Sequence, residues 1–497
     1  MNYQSTRNSD LSLSSAEAIM QGLSRDGGLF VPVSVPQLTD DFLSTLTDLP
    51  YAERSAAVMK LFLSDFTDEE LKTYTNAAYG NFDTESAAPL HRLDEKTSFM
   101  ELWHGPTCAF KDIALQILPY LLTASMRKTD EPKKVCILVA TSGDTGKAAL
   151  EGFRDVPGTG ILVFYPRDGV SDVQKLQMQS QMGKNVSVCA VAGNFDDTQT
   201  GVKQIFSDPA MAQRLADRGW FLSSANSINW GRLLPQIVYY ISAYCDLLKE
   251  GAVAPGEAVS FCVPTGNFGD ILAGYYAKQM GLPVKKLICA SNSNDVLTEF
   301  FRTGTYDRNR PFFTTVSPSM DILISSNLER LLFMACGKDA AYVSECMALL
   351  KQEGRYSVTP EIKADLDRLF WAGCCDEAGT KAQIGKVWTE HGYLMDTHTA
   401  VAHQVLEQYR EAENADENVV VVSTASPFKF CNAVLEGIGE AGEADGLTAL
   451  TKLEEVTGLH APAPLAGLRS AHVRFTGTAS KEEMPAVVEA FLSSKAE

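Results

Sequence analysis

Three short segments carry residues that could act on one substrate together. The first is ELWHGPTCAFKDIALQ (101–116), where a single lysine, Lys111, follows the apolar Cys108, Ala109 and Phe110 and precedes the helical run DIALQILPYLL. A cation at a helix start sits against the positive end of the helix dipole. Partial burial there lowers the pKa of an amine and suits it to Schiff-base chemistry. The plain alternative is a surface lysine whose stem snorkels along apolar neighbours.

The second segment is ATSGDTGKAAL (140–150), in which a buried strand runs through Ser142, Gly143, Asp144, Thr145 and Gly146 into a helix. Glycine allows close approach of backbone, and free N–H groups at a helix start form an anion seat. The segment is not a nucleotide P-loop: Thr141 stands where the first glycine of that motif belongs, and Lys147 is followed by Ala148. The third segment, VPTGNFGDILAG (263–274), repeats the arrangement with Gly266, Asn267, Phe268, Gly269 and Asp270. Two anion seats call for a diphosphate or for two separate phosphates.

Other segments are weaker. In VVVVSTASPFKF (419–430), Ser423 and Thr424 fall at the C-terminal end of a buried strand, where open α/β sheets place ligands. A hydroxyl there could equally cap the next helix. In MDTHTAVAH (395–403), Asp396 or Thr397 reads as a helix N-cap. His398 and His403 are five apart, off the spacing of a helical metal pair, and read as structural. Gly437, Gly439 and Gly442 match G-x-G-x-x-G but follow a helix-like segment and lie among glutamates, so they read as a loop. The eleven cysteines include no CxxC pair, and no metal site is expected.

The elements that must hold these residues alternate. Strands are expected at KVCILVA (134–140), GILVFYP (160–166), NVSVCAVAG, EAVSFCVP (257–264), KKLICASN and NVVVVSTASP (418–427), with helices between them. That order implies right-handed crossovers and parallel sheets covered on both faces. Residues 1–90 read as mostly helical, with one short strand at DGGLFVP (26–32). The net charge of −19 argues against a nucleic-acid partner, which needs a basic footprint, but not against a small anion in one cleft. The polar N-terminus and the lack of about 18 consecutive apolar residues point to a cytoplasmic chain with no membrane span.

HGPTCAFKD around Lys111, ATSGDTG, SANSIN (224–229), PTGNFGD, DTHTAV and STASP resemble, in order, the blocks of the threonine synthase family. The N-terminal STRN and DGGLFVP are similar to that family's opening. The family belongs to the fold type II, tryptophan-synthase-β-like enzymes that use pyridoxal phosphate (PLP). Ser426, Phe428 and Trp103 stand where the family more often carries His, Ala and Phe.

The resemblance implies an α/β fold of two parallel-sheet domains wrapped by helices, with a helical N-terminal domain. The divisions expected are 1–95, a catalytic region at 96–440 whose smaller unit is about 135–225, and a C-terminal segment at 441–497. Lys111 would carry PLP covalently, and Gly266, Asn267, Phe268, Gly269 and Asp270 would line the cofactor-phosphate loop. Thr424 would face the pyridine nitrogen as a neutral hydroxyl. Ser142, Asp144 and Thr145 would bind the substrate α-carboxylate or sit beside the ring. Asn226, Ser227, Asn229, Arg232 and Lys147 are candidates for the substrate phosphate.

The reaction implied is conversion of O-phospho-L-homoserine and water to L-threonine and phosphate, the last step of threonine biosynthesis, by a monomer or homodimer. A PLP-dependent phospholyase or dehydratase yielding a 2-oxo acid shares the early steps. A non-catalytic phosphometabolite-binding homologue is the alternative of a different class.

Overall fold

The computed structural model describes residues 1–141, 143–167 and 170–494. Two sheets dominate it. The smaller has five strands in the order Thr478–Ala479, Val186–Val191, Thr159–Pro166, Lys134–Ala140, Trp220–Ser223, all parallel. The strand Lys134–Ala140 shows why: Val135, Ile137 and Val139 enter one apolar core, while Cys136, Leu138 and Ala140 enter another. Both faces are buried, so the apolar run is unbroken rather than alternating with polar residues.

The larger sheet has six strands in the order Phe370–Cys374, Val284–Ser291, Val259–Pro264, Val419–Ser423, Thr97–Glu101, Leu90–Arg92. All neighbours are parallel except the last pair. Val420 and Val422 face the core shared with the N-terminal helices, and Val419 and Val421 face the core under the helix Thr397–Glu413. The expected strand through 427 stops at Ser423. Pro427, which has no N–H to donate, opens a short helical turn instead.

The N-terminal region corrects the expectation of helices with a single strand. Phe30–Pro32 is the strand read from DGGLFVP, and Asp40–Thr47, Tyr51–Phe62 and Asp68–Tyr79 are helices. But Tyr3–Ser5 and Asn8–Leu13 are also strands, and they complete an antiparallel three-stranded sheet. They are short, and only Tyr3–Ser5 is buried throughout, so periodicity could not reveal them. The C-terminal residues return to the small sheet: Thr478–Ala479 adds a strand, and Met484, Val488 and Leu492 of the helix Met484–Ser493 close its outer core. Among the described residues no helix is long and apolar enough to cross a membrane.

Candidate active site

The ends of both sheets open on one cavity of about 310 Å³. Thr141, Thr265 and Thr424, each just past the C-terminal end of its strand, line it. This is where an open parallel sheet places a ligand.

Lys111 opens the short helix Lys111–Leu115 and is half-buried in the cavity wall. The turn before it is tight: Cys108 adopts a left-handed φ of 59°, a conformation that costs a non-glycine residue about 1 kcal/mol or more. Backbone bonds hold this segment to the end of the large sheet, with Phe110 N–H donating to Thr424 O at 2.8 Å. Burial lowers the Lys111 amine to about 8, against the opposing pull of Asp144. Its Nζ donates to Ser319 Oγ at 3.5 Å and lies 4.6 Å from the Phe110 ring centre.

The Gly266–Asp270 turn lines the same cavity. Phe268 is left-handed, with φ 63°, and delivers the chain into the helix Gly269–Gln279. A Cβ on Gly266 would meet Ser319 O at 2.6 Å, and one on Gly269 would meet Ser227 Cβ at 3.3 Å. Neither position has room for a side chain, and the turn runs into a helix start, where free N–H groups can seat an anion. Asp270 is turned inward, its Oδ1 accepting from Tyr239 at 2.6 Å and Tyr240 at 2.7 Å. Burial pushes its carboxyl up to about 6, against those two hydrogen bonds.

Arg232 supplies a second positive locus. It is buried, lines the cavity, and has no hydrogen-bond partner on Nε. Among the described residues no carboxylate lies within 4 Å of its guanidinium. Burial lowers it to about 10. An unpaired buried cation is costly, and an anionic ligand would relieve that cost.

Lys111, Gly266, Asn267, Phe268, Gly269, Asp270, Thr424, Asp144, Thr145, Asn226, Ser227 and Arg232 all line this one cavity. Ser142 lies outside the described residues. Asn229 is not at the cavity: its Oδ1 accepts from Gly231 N at 2.8 Å as the N-cap of the helix Trp230–Lys249, and its Nδ2 donates to Ile19 O at 3.0 Å. With both ends of the amide engaged it has nothing to offer a phosphate. Lys147 is likewise engaged by Glu151 at 3.1 Å.

Asp144 lines the cavity, and its charge bears on what it can bind. Lys429 Nζ lies 2.8 Å from Asp144 Oδ1, and Gln174 Nε2 donates to the same oxygen at 2.8 Å. Against the cost of burial, Lys429 and then Lys111 hold the carboxyl well below the usual range. An ionised carboxylate repels a substrate carboxylate.

Sequence reasoning passed over Ser319 and His398, which line the cavity, and Lys429, which lies behind it. Ser319 touches Lys111 but comes from an unremarkable loop. His398, read as structural, lines the cavity; the signal available was its place just after the Asp396 N-cap. Lys429 was hidden in an apolar context, SPFKF.

Matches to family models cover three spans: threonine synthase N terminus at residues 2–79, pyridoxal-phosphate dependent enzyme at 83–352, and threonine synthase C-terminal at 399–489. A threonine synthase of Pseudomonas aeruginosa is 40% identical over 443 residues, covering 89% of this chain and 91% of that one. The chain belongs to the threonine synthase family. Human threonine synthase-like 1 is also 40% identical, over 85% of this chain, which spans only 58% of that longer protein's length. Two solved structures of the family share the fold across 99% of both chains with a TM-score of 0.88: PLP-bound threonine synthase from Brucella melitensis at 38% identity and threonine synthase from yeast at 33%.

The cofactor of the family is pyridoxal phosphate. The site suits a phosphorylated aldehyde: an amine lowered to about 8 and a glycine-bearing turn at a helix start line one cavity.

Proposed function

We propose that this chain converts O-phospho-L-homoserine and water to L-threonine and phosphate. The observation that carries this is the pairing, in one cavity, of a depressed lysine amine with two anion loci, the Gly266–Asp270 turn and Arg232. One locus serves the cofactor phosphate and the other the substrate phosphate.

In this reading Lys111 would hold PLP, and Gly266, Asn267, Phe268, Gly269 and Asp270 would seat its phosphate. Thr424 would offer the pyridine nitrogen a neutral hydroxyl, and Asp144 and Thr145 would contribute to the ring's surroundings. PLP supplies an electron sink for carbanion chemistry at the substrate's Cα and Cβ. Lys111 Nζ takes a proton from substrate Cα and later returns one there, a task suited to an amine poised near neutral pH. Arg232 and Asn226 hold the substrate phosphate and stabilise its charge as the Cγ–O bond breaks. Ser227, packed against Gly269, joins the walls of the two seats. The hydroxyl of water ends on Cβ, and a hydrogen replaces phosphate on Cγ.

The test is product analysis of the purified, PLP-loaded chain with O-phospho-L-homoserine. Threonine with an equal yield of phosphate supports the reading. 2-Oxobutyrate with ammonia would replace it with a phospholyase, and unchanged substrate would leave a phosphometabolite-binding protein.

A further inference from the structure

Lys429 is a cation with no side-chain exposure behind the cavity, which it does not line. It projects from the turn after the last strand of the large sheet. Its Nζ donates to Thr107 O at 2.9 Å and pairs with Asp144 at 2.8 Å. Asp144 belongs to the small-sheet unit, at the start of the helix Asp144–Gly152. Ser171, also from that unit, donates its hydroxyl to Lys429 O at 3.3 Å. The lysine thus joins the two α/β units directly behind the site.

The other Asp144 oxygen points forward. Ser319 Oγ lies 3.4 Å from Asp144 Oδ2 and 3.5 Å from Lys111 Nζ. A chain of contacts therefore runs Lys429, Asp144, Ser319, Lys111, with one hydroxyl between the carboxylate and the reactive amine. In a cavity of low effective dielectric, a bare Asp144 at that distance would favour a charged Lys111.

We propose that Lys429 is a positioning residue: its ammonium pins Asp144 across the two α/β units and cancels the negative charge that Asp144 would otherwise present to Lys111. The inference rests on the assignment of Lys111 as the PLP-bearing amine. Four charged groups act on Lys111: Asp144 and Asp270 raise its proton affinity, and Arg232 and Lys429 lower it. His398 faces the same cavity. Around Lys429, the further titratable groups are Cys108, Asp112 and Lys147. Asp112 is already engaged by Thr107, whose hydroxyl donates to it at 2.6 Å, so it does not replace Asp144 as counterion.

The experiment is a pH titration of the visible cofactor band of the full-length, PLP-loaded chain, with circular dichroism to establish folding. Lys429→Met should raise the midpoint by about one unit or more, the size expected for one unbalanced neighbouring charge. Asp144→Asn should lower it. The double variant, with neither charge, should return towards the parent. Equal midpoints in the parent and Lys429→Met would overturn the proposal. Should Lys429→Met fail to fold, Asp144→Asn and the double variant decide: a fall in the first that the second reverses supports the pair, and equal midpoints overturn it. A parent chain that forms no band with PLP would instead sink the assignment of Lys111. As a second readout, the pH dependence of trinitrobenzenesulfonate labelling at Lys111 in the PLP-free chain should shift in the same order.

Discussion

The backbone N–H of Ser319 donates to Nε2 of His398 at 3.2 Å, across 79 residues of sequence. That bond makes Nε2 an acceptor, so the ring proton sits on Nδ1, which donates to Asp396 Oδ2 at 2.8 Å. His398 thereby fixes the backbone of the residue whose hydroxyl touches Lys111. A carboxylate, an imidazole and a peptide N–H, none of them at the reacting atoms, determine where one wall of the cavity stands.

Lys111→Ala removes the proposed cofactor attachment and the base together. Threonine formation should fall by about 10⁴-fold or more. Borohydride reduction of the loaded parent should label the peptide containing Lys111, and the variant should take no label. Turnover at the parental rate in the variant would end the functional reading.

Gly266→Ala tests the phosphate seat. The added methyl would meet Ser319 O at 2.6 Å, a backbone atom that cannot swing aside. Overpacking of this kind costs about 1–3 kcal/mol. PLP affinity, measured by fluorescence titration, should weaken by roughly tenfold to a hundredfold. An unchanged Kd would place the cofactor phosphate elsewhere.

Asn229 and Arg232, three residues apart, should part company. Asn229→Ala removes a helix cap and should lower stability by about 1 kcal/mol while kcat/KM changes little. Arg232→Ala should cost at least tenfold in kcat/KM for O-phospho-L-homoserine, and added inorganic phosphate should inhibit it less than the parent. Equal kinetic losses in both variants would contradict the division.

Thr424→Asp replaces a neutral hydroxyl with an acid that would protonate the pyridine nitrogen. A protonated ring stabilises carbanions more strongly, so partitioning should shift from threonine towards 2-oxobutyrate. Product ratios identical to the parent would count against Thr424 as the nitrogen's neighbour.

His403 sets an acid limit on stability. Burial lowers it to about 4, and Gln383 Nε2 approaches its Nδ1 at 2.6 Å. Between about pH 6.5, the unfolded value, and pH 4, the unfolded chain binds the proton that the native chain refuses. Stability contributed by the neutral ring is thus complete above about 6.5 and declines as pH falls towards 4, by up to about 3 kcal/mol. Urea midpoints across that range should drop more steeply for the parent than for His403→Gln.

What could be read in the sequence follows from how local each signal is. The strand cores at 134–140 and 257–264 were legible because both faces are buried, and an unbroken apolar run leaves few alternatives. Lys111 and the Gly266–Asp270 turn were legible as cavity residues because a lysine at a helix start and a glycine-bearing strand-to-helix turn are each marked within a few positions. Asn229 misled because a cap and a ligand call for the same amide, and only the helix that follows decides between them. Ser319 and Lys429 were not legible. Each acts through a partner far along the chain, Ser319 on Lys111 and Lys429 on Asp144, and nothing in their own neighbourhoods marks them.

The strand Thr478–Ala479 and the helix Met484–Ser493 belong to a sheet whose other strands end at Ser223. During synthesis, that unit must wait for the distal residues with the Ala190–Val191 end of its outer strand as an open edge and its outer core lacking Met484, Val488 and Leu492. A product cut short before Thr478 keeps both defects for good. Exposed apolar faces and bare strand edges invite chaperones, proteases and aggregation. An unfinished copy is therefore marked for removal by its own shape.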